Sequence, residues 1–162
     1  MSCNLSDDLQ KAKTHALKII GMRDQSGGEI LKKLGKHYEP EVCNSALEWL
    51  RELGYQNDEK YAEKLAAHLI KNKNFGLRKI KYEMRLKGLS EDIIDTALEI
   101  YDGEQIIEII IELIGRKYLH NLNDYAGIKK TVDALMRRGY DYSDIKTAVA
   151  TIKEGLDWEY EE

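Results

Sequence analysis

An all-α fold of three tandem three-helix repeats, stacked into an elongated array that can curve, is what this 162-residue sequence predicts, and three observations predict it. Apolar residues recur with the period of a helix rather than the alternation of a strand. One proline and twelve glycines leave little punctuation, and most of it falls at the ends of apolar-periodic segments. The chain also resembles itself at a spacing of about 51 residues, as between Gly88 and Gly139, and similarity at a fixed period marks stacked supersecondary units.

Taken in chain order, Ser26 with Glu29 forms a capping box that starts a helix, and Pro40 suits the first turn of the next. Gly54 then follows an apolar and basic stretch, where a left-handed residue stops a helix. Tyr61, Ala62, Leu65, Ala66, Leu69 and Ile70 line one helical face. Gly88 supplies another stop, after which Ser90 caps a helix stapled by Leu89 against Ile94. Ile93, Ile94, Ala97, Leu98 and Tyr101 share a face, as do Ile106, Ile107, Ile110, Ile111 and Ile114. Isoleucine favours strands, but these runs lack strand alternation, so the period decides. Gly139 is the last stop of this kind.

The internal similarity is sharpest between Met84-Arg-Leu-Lys-Gly88-Leu, followed by Ile93 and Ala97-Leu98, and Leu135-Met-Arg-Arg-Gly139-Tyr, followed by Ile145, Val149 and Ala150. A more worn copy, Leu34-Gly-Lys-His-Tyr38, precedes Val42 and Ala46-Leu47, with Tyr38 where the others have glycine. Repeats are therefore expected at about 5–54, 55–102 and 103–157, with an acidic tail at 158–162. Each small unit buries limited apolar area alone, so neighbours should pack end to end.

Composition excludes several classes. Hydrophobic residues make up 43% of the chain and charged residues 33%, which argues against disorder. The longest apolar cluster, around Ile106–Ile114, is broken by Glu108 and Glu112, so no membrane association is expected. Residues Met1 to Gln10 carry Asp7 and Asp8 and lack the basic and apolar regions of a secretory signal, which predicts a cytoplasmic location. Cys3 and Cys43 are too few for a disulfide framework and read as reduced structural thiols.

No catalytic constellation emerges. His15, His37, His68 and His120 are scattered, and no metal or cofactor is expected. Gly27-Gly28 precedes a helix without the Lys-Ser/Thr of a P-loop and reads as a turn. Glu59 and Glu63, or Glu108 and Glu112, have the spacing of a solvated helical face. Tyr38, Tyr55, Tyr101 and Tyr140 lie near repeat boundaries, as rings sealing helix interfaces would.

The functional signal is charge. The net charge is −4, yet Lys71 to Lys87 holds seven basic residues against one acid, Glu83. Arg78, Lys79, Lys81, Arg85 and Lys87 in the middle second helix recur as Lys129, Lys130, Arg137 and Arg138 in the third repeat. Such a ridge can neutralise phosphates or an acidic protein surface. The same cations would also solvate exposed faces and complement helix C-termini. The end of the chain, Glu154 to Glu162, has five acids and no base, with Trp158 and Tyr160 between them, and fits a frayed end or an acidic docking segment.

From about Ala16 to Val149 the chain resembles the RecX family. Ala16-Leu17, Arg23, Ser26, Glu29-Ile-Leu31 and Lys33-Leu34 are similar to its opening Arg-x-x-Ser-x-x-Glu-Leu pattern. Leu53-Gly54-Tyr55, Asp58, Tyr61-Ala62, Gly76, Ile80, Glu83-Met84, Lys87-Gly88, Ile94 and Ala97-Leu98 follow its middle signature in order. Leu135, Arg137-Arg138-Gly139-Tyr140 and Ile145 are similar to its Arg-Arg-Gly-Phe close. The chain departs from the family at His37-Tyr38, which stands for the usual Lys-Gly, and in the irregular Asn121–Gly127 connection. The resemblance implies a non-enzymatic regulator, here expected as a monomer, that binds the RecA recombinase and its single-stranded-DNA filament, limiting filament growth, ATP hydrolysis and strand exchange. Weak direct DNA contact is compatible with it. The alternative reading is a nucleic-acid-binding module of tandem helix-turn-helix-like units.

Overall fold

The computed structural model describes the backbone of residues 5–159 and the side chains of residues 5–155. The acidic tail at 158–162, and Cys3, lie outside the described side chains. Among the described residues there are helices and no strand: α1 (Leu5–Met22), α2 (Gly27–Leu34), α3 (Pro40–Glu52), α4 (Asp58–Lys71), α5 (Leu77–Leu86), α6 (Glu91–Leu98), α7 (Gly103–Lys117), a short 3-10 helix η1 (Leu119–Asn123), α8 (Tyr125–Arg137) and α9 (Tyr142–Glu159). The chain is all-α, and its helices follow one another in three consecutive triplets.

Local chemistry explains most boundaries. The Ser26 hydroxyl accepts from the Glu29 amide at 3.1 Å while the Glu29 carboxylate accepts from the Ser26 amide at 3.1 Å, closing the capping box. Pro40 opens α3, where its missing amide costs no hydrogen bond. Asp102 and Asp124 cap α7 and α8 through the amides of Gln105 and Gly127. Gly54, Gly88 and Gly139 adopt φ of +77°, +77° and +97°, so the second and third triplets close their middle helices with left-handed glycines. The worn copy differs. There Gly35 is right-handed at φ −63°, and the amides of His37 and Tyr38 both donate to the Leu34 carbonyl.

The apolar faces are those that periodicity assigns. Ile106, Ile110 and Ile114 of α7 are buried, as are Ala62, Ala66, Leu69 and Ile70 of α4 and Ile94, Ala97 and Leu98 around α6. A fully buried isoleucine or leucine contributes roughly 1.5–3 kcal/mol relative to exposure.

The residues group into two compact units. Unit 1 holds the chain up to Leu65 together with Glu83–Ala97, and unit 2 holds Ala66–Tyr82 together with Leu98 onward. The core of unit 1 joins Ala12, Ala16 and Ile19 of α1 to Ile30 and Leu34 of α2 and to Val42, Cys43, Ala46, Leu47 and Leu50 of α3. The core of unit 2 joins Ile106, Ile110, Leu113 and Ile114 of α7 to Leu122, Leu135, Tyr140, Ile145, Ala148 and Val149. Tyr140 is buried there, and Tyr38 packs against the unit 1 core, but Tyr55 is 59% exposed. The expectation that Tyr55 seals an interface is therefore wrong: its amide closes the turn on the Leu50 carbonyl while its ring faces solvent.

Candidate partner-binding surface

In unit 1 the family-motif residues gather at the start of α2. The Asp58 carboxylate accepts from the Gly27 amide at 2.8 Å and from the Gln56 side chain at 2.7 Å, and pairs with Arg51 at 3.3 Å. Glu29 is bracketed by Lys87 at 3.0 Å and Arg23 at 3.6 Å, with the Tyr61 hydroxyl at 3.5 Å. Burial works to raise the Glu29 pKa, but the hydrogen bonds from Lys87 and the Ser26 amide, with the charges of Lys87 and Arg23, outweigh it and hold the carboxyl below its usual range. The Ser26 hydroxyl also donates to the Lys87 carbonyl. Gly28 lies so close to Gly88 that a Cβ there would stand 3.0 Å from the Gly88 Cα. Ala62 is fully buried. These residues hold helices together and leave little free for a partner.

Unit 2 repeats the device. The Gly76 amide donates to the Arg138 carbonyl at 2.7 Å, and the Arg78 amide donates to the Gly139 carbonyl at 3.3 Å. Adding a Cβ to Gly76 would drive it into the Gly139 and Tyr140 backbone, and one on Gly139 would meet Lys79 at 2.6 Å. Arg78 donates to the Tyr140 carbonyl at 3.2 Å and pairs with Asp141 at 3.1 Å, while Arg138 donates to the Lys73 carbonyl at 3.1 Å. Just before Gly76, Asn74 takes φ +55°, and its side-chain oxygen accepts from Arg116 at 3.3 Å.

This geometry sorts the basic positions. Arg78, Lys87 and Arg138 reach across the two glycine joints; Lys79 lies over the Phe75 ring at 4.0 Å; Arg85 pairs with Glu91 at 2.5 Å. Lys81 is half-buried on α5 and has an interaction of its own. Lys129, Lys130 and Arg137 are exposed on α8, and among the described residues their side chains carry no ion pair or hydrogen bond. Their spacing of 1 and 7 residues brings all three within one side of the helix.

Sequence reasoning missed a further basic set. Lys32, Lys33 and Lys36 of unit 1 line an open 540 Å³ groove with Lys87 and the exposed Leu86. The signal was present as three lysines within five residues, Lys32, Lys33 and Lys36, at the end of a short helix. Among the described residues no group of three or more His, Cys, Asp or Glu is placed to hold a metal ion, and no helix is long and apolar enough to cross a membrane.

Comparison with known proteins fits this architecture. Residues 57–98 match the family model described as RecX, second three-helix domain, and residues 103–149 match RecX, third three-helix domain. A regulatory protein RecX of Chlorobium phaeobacteroides is 30% identical over 147 residues, covering 90% of this chain and 95% of the relative. The chain belongs to the RecX family. A regulatory protein RecX of Clostridium perfringens is 32% identical over 141 residues, of which this chain spans only 66% of the relative's length. The crystal structure of RecX from Lactobacillus salivarius superposes with a TM-score of 0.80 at 23% identity, over 91% of this chain and 98% of that one, and establishes the shared fold. Membership carries the coarse statement of function: a regulatory protein of the RecX type.

Proposed function

We propose that this chain is a cytoplasmic, monomeric regulator that binds RecA–single-stranded-DNA filaments and restrains their growth, ATP hydrolysis and strand exchange by contact alone, without a cofactor or a chemical step. Three tandem three-helix units, at about 5–54, 55–102 and 103–157, serve as its scaffold. The observation that carries the proposal, beside family membership, is the exposed cationic side of α8, where Lys129, Lys130 and Arg137 outnumber the single carboxylate on that side, Asp133, and form no ion pair among the described residues. An excess of exposed cations on one side of a helix attracts a phosphate backbone or an acidic protein surface, and a filament presents both. The remaining candidates, Arg78, Lys79, Lys81 and Arg138 in unit 2 and Arg85 and Lys87 in unit 1, add positive charge to their own units. In this reading, those at the joints act mainly by fixing their shape. Several weak contacts on one scaffold gain avidity from effective concentration.

Binding to RecA-coated and to bare single-stranded DNA, measured at two salt concentrations with the wild type and with Lys129→Glu/Lys130→Glu/Arg137→Glu, tests the proposal. Preference for coated DNA that the triple variant loses supports it. Equal binding to bare DNA, weakening with salt at a log–log slope of about −0.7 per phosphate contact, would instead favour the helix-turn-helix-like nucleic-acid module.

A further inference from the structure

The two glycine joints are built alike. In each, the carbonyl of the basic residue that precedes a left-handed closing glycine, Lys87 or Arg138, accepts a hydrogen bond at the start of an earlier middle helix, from the Ser26 hydroxyl or the Gly76 amide. The closing glycine, Gly88 or Gly139, then sits against a glycine there, Gly28 or Gly76, where an added Cβ would stand 3.0 Å from backbone at Gly28 and collide with it at 2.3 Å at Gly76. Each joint thus has a socket, the bare glycine that opens a middle helix, and a plug, the basic-glycine close of the next triplet.

The corresponding positions in the third and first triplets behave differently. Gly127, in the first turn of the middle helix of the third triplet, stands 51 residues after Gly76, but the chain's own Asn121 carbonyl occupies the space over it. Its amide is taken by the Asp124 side chain at 2.6 Å. That carbonyl belongs to η1, which Leu122 anchors in the unit 2 core. In the first triplet the plug is missing. His37-Tyr38 stands where the others have a basic residue and a left-handed glycine, and no residue from 35 to 38 has positive φ. The Tyr38 ring instead packs edge-on against His15 and His37, with centroids 6.0 and 6.3 Å apart, and its carbonyl accepts from the Cys43 thiol at 3.5 Å.

We infer that the surface around Gly127 is a latent socket for the basic-glycine close of a second copy of this chain, held shut by η1, and that His37-Tyr38 removes the matching plug. A chain that exposed both an open socket and a matching plug would join head to tail, a heterologous contact that does not close on itself and grows into open chains. The irregular connection and the worn first copy together keep one copy of this chain from joining another.

Sedimentation velocity over a wide concentration range tests this with variants shown to be helical and to melt cooperatively. One variant opens the socket by replacing Leu119–Asn123 with a Gly-Ser linker of equal length; a second restores the plug with His37→Lys/Tyr38→Gly. If the linker variant loses its cooperative melt, Leu122→Ala, which loosens the same anchor, takes its place. Wild type and each variant alone should sediment as monomers. An equimolar mixture of the two should give a 1:1 complex, and the combined variant should grow with concentration. Gly127→Ala added to the opened socket should abolish association, as a Cβ would at Gly28 or Gly76. A folded mixture that stays monomeric, association that survives Gly127→Ala, or self-association of the wild type would overturn the inference.

Discussion

Gly76→Ala probes the unit 2 joint where it is tightest. The new methyl group would overlap the Gly139 carbonyl carbon and oxygen and the Tyr140 amide, and none of these can turn aside as a flexible side chain can. Either the α8 close retreats or the start of α5 does. Retreat weakens the Gly76–Arg138 bond at 2.7 Å and the Arg78–Gly139 bond at 3.3 Å. Two backbone hydrogen bonds at about 0.5–1.5 kcal/mol each contribute roughly 1–3 kcal/mol, and the steric strain of overpacking adds about 1–3 kcal/mol. The expected loss is therefore roughly 2–6 kcal/mol, a drop in Tm of about 4–24 °C for a chain of this size. Urea and thermal unfolding followed by circular dichroism would measure it, with Gly54→Ala as control. Gly54 also needs a left-handed backbone, at φ +77°, but a Cβ there meets nothing within 4 Å, so alanine should cost only about 1–2 kcal/mol. If Gly76→Ala proves no more costly than Gly54→Ala, close backbone approach is not what that joint requires.

Three further outcomes follow from single sites. The Tyr140 hydroxyl is buried without a hydrogen-bond partner, so Tyr140→Phe should stabilise the chain by about 1 kcal/mol in chemical denaturation. Burial pushes the Tyr140 phenol up to about 12, against the charges of Arg138 and Arg116, so the fold favours the neutral form. Its contribution to stability is intact below about pH 10 and is lost as pH rises from there towards 12, and Tyr140→Phe should flatten that limb. Glu29 has the opposite sign. Its lowered pKa means that its contribution is present above about pH 4.5 and is lost as pH falls below it, so Glu29→Gln should reduce stability near neutrality and shrink the acid dependence. Gly115 lies inside α7 with open space around it, and Gly115→Ala should add about 0.5–1 kcal/mol by restricting the unfolded chain; a loss would mean that α7 is not a regular helix at that turn.

What was legible in the sequence was what acts locally. The capping box joins residues three apart, the left-handed glycines end runs of contiguous helix, and the α7 isoleucines reveal their face by period alone. The joints were not legible, because their partners lie far along the chain: Ser26 meets Lys87 across 61 residues and Arg78 meets Asp141 across 63. Charge patterning picked out the basic positions without saying which cations were already engaged. Arg78 and Lys79 resemble Lys129 and Lys130 in sequence, yet the first pair serves the joint and the second faces solvent. Lys32, Lys33 and Lys36 escaped notice because the worn first copy lacks the closing glycine that marks the basic helix in the other two. Tyr55 was misplaced for a related reason. Position near a repeat boundary does not say which side of the turn a ring takes.

The most direct test of the functional account is single-stranded-DNA-dependent ATP hydrolysis by the cognate RecA as this chain is titrated in, with bare-DNA binding followed in parallel at the same salt. The account predicts that hydrolysis falls at concentrations too low to coat bare DNA, and that Lys129→Glu/Lys130→Glu/Arg137→Glu, still helical and cooperatively folded, loses most of that effect. Hydrolysis unchanged by the wild type at concentrations that saturate bare DNA would contradict it.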